Sequence, residues 1–171
     1  MKYKLMSVML VAGAIVMSGM NAQAAADKIG TVDLARIFDE YQKTKEFDKS
    51  LETKGTAKQA DRDKMVAEVK KLRDEAELLS AKAKDEKQAV IDDKIKVLQK
   101  FDQETRDTLR KERDTMVREI LKEIETVIQE FGKSQGYGYI FNDRVLVYKS
   151  EQNDLTTQVI KVLNDNYSKK K

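Results

Sequence analysis

The sequence predicts a mostly helical α+β chain. A long antiparallel helical hairpin, a coiled-coil arm, stands on a small β-rich oligomerisation head that both chain ends build. Three observations predict it. The 171 residues contain no proline, so nothing interrupts a very long helix. Charged residues make up 37% of the chain and alternate in sign along two stretches, each with one apolar stripe. Segments rich in β-branched and aromatic residues flank those stretches on both sides.

Residues 1–24 read as a secretory signal peptide. Lys2 and Lys4 precede an uncharged run from Leu5 to Met17, and Ala22-Gln23-Ala24 supplies the small-residue cleavage pattern, with cleavage after about Ala24. The run is too short for a membrane span, which needs about 20 apolar residues, and no cysteine follows it to carry a lipid. The expected product is exported to the periplasm. Losing Lys2 and Lys4 takes the formal net charge from +3 to +1. That balance speaks against nucleic-acid binding through bulk charge.

Residues 25–33 open the head, with "KIGTV" (28–32) as a strand and Asp33 placed to cap the helix that follows. Residues 34–132 form the arm. Its first rod starts with Leu34, Ile37, Phe38 and Tyr41 and continues through Met65, Val69, Leu72, Ala76, Leu79 and Ala83 at heptad spacing. The second rod carries Ile91, Ile95, Leu98, Phe101, Thr105, Leu109, Met116, Ile120, Ile124, Val127 and Phe131, and Gly132 follows as a helix-ending glycine. Equal lengths place the tip near residues 81–86, and folding there sets Leu51 opposite Val117, Leu72 near Leu98 and Phe47 near Leu121. The polar stretch 52–64 then faces the polar stretch 102–114. Such a middle buries little apolar surface, so the arm is expected to flex there, around Gly55.

Residues 133–171 complete the head. Gly132-Lys133-Ser134 looks like the end of a phosphate-binding loop, but Val127 stands where the first glycine is needed, and a helix precedes the motif where a strand should. The stretch reads instead as a helix stop leading into a β-hairpin. Tyr137, Tyr139 and Phe141 alternate on one strand, Asn142-Asp143 turns, and Val145, Leu146, Val147 and Tyr148 return. Asp154 then caps a closing helix with Leu155, Val159, Val162 and Leu163 on one face. About three strands and one short helix make a thin core with open edges, so the head is expected to be completed by other copies of the chain.

Nothing in the composition favours catalysis. The chain has no histidine and no cysteine, so the usual general base, thiol nucleophile and soft metal ligands are missing. Carboxylate pairs such as Asp92-Asp93 sit in charged helical runs and read as solvated surface. No cofactor and no metal site is expected.

The two ends, "IGTVDLARIF" and "GYGYIFNDRVLVY" with "NDLTTQVIKVLN", resemble the Skp, or OmpH-like, family of periplasmic chaperones. The resemblance implies a homotrimer. Ile29, Val32, Ile140, Phe141, Val145, Val147 and Tyr148 would belong to the shared head sheet, and three arms would enclose a cavity. It implies binding of unfolded outer-membrane proteins without ATP, and hand-over to an outer-membrane insertase. Five acids and five lysines are evenly balanced over residues 77–96, which weighs against membrane or lipopolysaccharide contact through positive arm tips. The competing reading is an exported coiled-coil spacer without clients.

Overall fold

The computed structural model describes residues 27–170; the predicted signal peptide lies outside them. In chain order come β1 (Lys28–Val32), α1 (Leu34–Glu40), α2 (Gln42–Glu77), α3 (Ala81–Gln135), β2 (Tyr137–Asn142) and α4 (Thr156–Lys169), with short 3-10 turns at Asp143–Val145 and Glu151–Asn153. α2 and α3 lie side by side as an antiparallel arm. At 1.5 Å per residue α3 is about 80 Å long. The rest of the chain packs at the foot of the arm.

The first rod is not continuous. Asp33 caps α1 as expected, its Oδ1 accepting from the Arg36 N–H at 3.0 Å, but the helix breaks at Tyr41, whose φ and ψ of −68° and 127° are extended. Local propensity gives no cause for the break; tertiary contact does. Tyr41 is fully buried and meets Tyr167 of α4 edge to face, ring centroids 5.8 Å apart. The tip also differs from expectation. The helices part at residues 78–80, with Leu78 as C-cap and Ser80 as N-cap, so the turn lies short of 81–86 and Leu79 leaves the seam for solvent.

The second rod runs past Gly132, which sits inside α3, to Gly136. Gly136 adopts the left-handed φ of 69° that ends the helix. This turn reverses the chain and lays β2 back along α3. Gly132 makes room for that return: a Cβ there would come within 3.0 Å of Ile140 Cδ1.

The expected β-hairpin is absent. β2 pairs in parallel with β1, Ile29 opposite Tyr139 and Val32 opposite Asn142. Asn142 does turn the chain, its Oδ1 accepting from the Arg144 N–H, but into a 3-10 turn, and residues 145–148 form no strand. The other edge of β1 is taken by the segment leading into α4, where the Leu155 N–H donates to the Thr31 carbonyl at 2.8 Å. Asp154 accepts from the Thr156 N–H at 2.9 Å, so it holds the entry to α4 from one residue before the N-cap, Leu155. One core fills the head: Val32, Ile37, Tyr41, Ile120, Ile124, Val127, Leu155, Val159, Ile160 and Leu163. A second, smaller cluster of Val69, Ala76 and Ile91, backed by Leu72 and Ile95, holds the arm near its tip.

Candidate functional site

Two regions stand out, one on the head and one on the arm. On the head, the predicted oligomerisation residues divide. Val32 is buried in the chain's own core, and Ile140 packs against that core. Ile29, Phe141, Val145, Val147 and Tyr148 are exposed, Val147 entirely and Tyr148 to 84%. Tyr139, which the alternation marks but which is not among the expected interface residues, joins them. It stacks on Phe141 with ring centroids 6.1 Å apart, and both rings face solvent. The outer edge of β2 has no strand partner among the described residues. An aromatic, β-branched surface beside an open strand edge is an arrangement that proteins normally cover.

The exposed segment is pinned at both ends. Lys149 Nζ reaches Asp143 at 2.8 Å and Asp154 at 2.9 Å, so residues 145–148 project between two anchored points. Burial alone would raise the Asp154 carboxyl, but hydrogen bonds from Thr156 and Lys149 outweigh it and pull the group down to about 2. The same two carboxylates push Lys149 above the usual lysine range.

On the arm, residue pairs report the register. Lys43 meets Glu123, Lys54 meets Glu112, Arg62 meets Asp102, Glu68 meets Lys94 and Glu75 meets Lys87, all between 2.7 and 2.9 Å. The polar stretches 52–64 and 102–114 therefore do face each other. Near the tip the register slides by about two turns from the expected one: Leu72 packs on the cluster that contains Ile91, with Ile95 at its margin, in place of Leu98.

The middle of the arm holds no core. No residue is buried from 45 to 68 on α2 or from 92 to 119 on α3. A groove of about 330 Å³ runs between the helices there, lined by Lys58, Phe101, Thr105 and Leu109. A neighbouring hollow of about 640 Å³ is lined by Phe47, Ser50, Thr115 and Met116. Lys58 Nζ rests 5.4 Å from the centre of the Phe101 ring. Gly55 borders the same region, and a Cβ added there meets nothing within 4 Å.

At the foot of the arm Glu123 gathers charge. Its carboxylate takes Lys43 Nζ at 2.8 Å and lies 3.7 Å from Lys170. Burial opposes its ionisation, yet Lys43, the Tyr41 hydroxyl and Lys170 hold it below the usual glutamate range. Burial, reinforced by Glu123, in turn lifts the Tyr41 hydroxyl far above its ordinary value.

Among the described residues no group of acidic, histidine or cysteine side chains could hold a metal ion, and no helix is long and apolar enough to cross a membrane. A search of curated proteins finds no match. Seven chains of solved structure are similar. One is a crystal structure from Caulobacter crescentus CB15 of a candidate outer membrane chaperone (OmpH-like), with a TM-score of 0.72 at 16% identity over 83% of this chain and 86% of that one. At that identity the likeness speaks for the fold. The family model described as "Outer membrane protein (OmpH-like)" matches residues 28–163, which spans β1, the whole arm, β2 and most of α4. The chain belongs to the OmpH-like family.

Proposed function

We propose that the protein is an ATP-independent holdase chaperone of the periplasm, joined head to head as a homotrimer. Its arms enclose unfolded outer-membrane β-barrel proteins and keep them from aggregating until an insertase takes them over. The observation that carries this reading is the arm, braced by apolar clusters near its tip and at its foot, with no buried residue between them. Helices held in this way separate and re-close at little cost, which suits many weak contacts with a client that has no fixed shape. A spacer would gain from a continuous seam, and this arm has none. Family membership and the description of the Caulobacter protein as an outer membrane chaperone point the same way.

Assembly through the head is supported by the uncovered face of Ile29, Tyr139, Phe141, Val145, Val147 and Tyr148 beside the open edge of β2. A neighbouring copy could supply strands to that edge. The mixed charge of the tip gives no basis for electrostatic capture of membranes.

The test dilutes a urea-unfolded outer-membrane porin into buffer with the chain lacking residues 1–24. Equimolar trimer is expected to suppress turbidity without nucleotide. Unchanged turbidity would favour the spacer. Light scattering on the same material is expected to give the mass of three copies, and a single-copy mass would remove the assembled head.

A further inference from the structure

The two helices of the arm are not equivalent. α3 runs unbroken from the tip into the head core, where Ile120, Ile124 and Val127 are buried. α2 starts afresh after the extended Tyr41 and buries nothing between Thr44 and Val69. Its buried anchor points are therefore two, the tip cluster and its own first turn, with part-exposed ion pairs between them.

That first turn is held by the last turns of α4. The Gln42 N–H, which a continuous helix would bond to the carbonyl four residues back, donates instead to Asn164 Oδ1 at 2.9 Å. The Tyr167 ring packs against Tyr41, and its hydroxyl donates to Glu46 at 2.9 Å. Lys170 approaches Glu123 of α3, the carboxylate that also receives Lys43 of α2. The buried Thr44 hydroxyl at the same turn makes no hydrogen bond, so Lys43 is the residue of that turn that bonds directly to α3.

We propose that the end of α4 is a clasp that fastens the root of α2 to α3, with Asn164, Tyr167 and Lys170 as its three fingers. The break at Tyr41 is already a joint, so no helical hydrogen bond within α2 has to be given up when the clasp lifts. α2 then bows away from α3 from its root, while α3 and the tip cluster preserve the length of the arm. The device belongs to each chain and holds whatever the arm binds.

Native-state hydrogen exchange on the full assembly tests it. In an Asn164→Ala, Tyr167→Phe, Lys170→Ala variant, amides of residues 42–50 are expected to exchange about tenfold faster, the effect of losing a few such contacts. Amides around Ile120 and Ile124 of α3 and around Val159 and Leu163 of α4 are expected to keep their rates. Unchanged rates at 42–50 would overturn the proposal. So would an equal acceleration in α2, α3 and α4, which would mean that these residues only support the head as a whole. Tyr167→Phe alone, which keeps the ring on Tyr41 and loses one hydroxyl, is expected to give a smaller acceleration confined to 42–50. Its spread into α4 would count against the clasp.

Discussion

Filling the middle of the arm is expected to stiffen it and to weaken client protection. Lys58→Leu and Thr105→Leu place two leucines in the groove beside Phe101 and Leu109. Full burial of a leucine is worth about 1.5–3 kcal/mol, but this groove is open on one side, so each gains roughly half of that. Lys58 gives up its place near the Phe101 ring, a loss of about 0.5–1 kcal/mol. The net is a stabilisation of about 1–2 kcal/mol, which slows local opening by roughly 5- to 30-fold. Urea unfolding followed by circular dichroism reads the stability, and amide exchange over residues 52–64 and 102–114 reads the opening. The porin turbidity assay is expected to show less protection by the filled arm. If exchange in both stretches stays as it was, the groove is not where the arm yields. If exchange slows and protection is undiminished, softness of the arm plays no part in holding a client.

Gly55→Ala acts on the same stretch through the backbone: with no atom near the added methyl, it is expected to raise stability by about 0.5–1 kcal/mol, and a lower urea midpoint would contradict the open site. Val147→Asp touches nothing within the chain, since Val147 is fully exposed, so subunit stability is expected to stay within about 0.5 kcal/mol while light scattering shows the oligomer lost; an unchanged mass would place the contact elsewhere. Asp154 sets an acid limit. Its folded carboxyl lies at about 2 against an ordinary 3.8, so its contribution of roughly 2 kcal/mol is complete above about pH 4 and disappears as pH falls through about 2. Asp154→Asn is expected to lower stability at neutral pH and to flatten the decline between those limits, and a variant that retains the full acid decline would rule the assignment out.

The parts of the fold set by local pattern were legible. Heptad spacing and the lack of proline foretell both arm helices, "KIGTV" foretells β1, and Asp33 caps where its type says it should. The polar stretches of the two rods face each other because a hairpin leaves them no other place. What stayed hidden depends on distant residues. The break at Tyr41 answers to Tyr167 and Asn164 of α4. Gly132 and Gly136 are equally good helix stops by composition. The choice falls on Gly136, since Ile140 returns against Gly132. Asn142-Asp143 carries hairpin chemistry, yet β2 finds β1 because Gly30 lets Leu155 close the sheet from the other side: a Cβ on Gly30 would collide with the Leu155 side chain. Of the seven residues expected in the head sheet, Val32 on β1 is buried in the chain's own core and Ile140 on β2 packs against it. Tyr139 could have been found from its alternation with Phe141.

The joining of β1 to the segment that leads into α4 has a kinetic consequence. Thr31 bonds to Asn153, 122 positions away, and Asp33 to Thr156, 123 positions away. Both partners lie beyond the whole arm in the chain, so the first strand must wait, unpaired, while the rod doubles back. Closing so large a loop is slow relative to zipping up the two helices. The arm thus matures first and the base last.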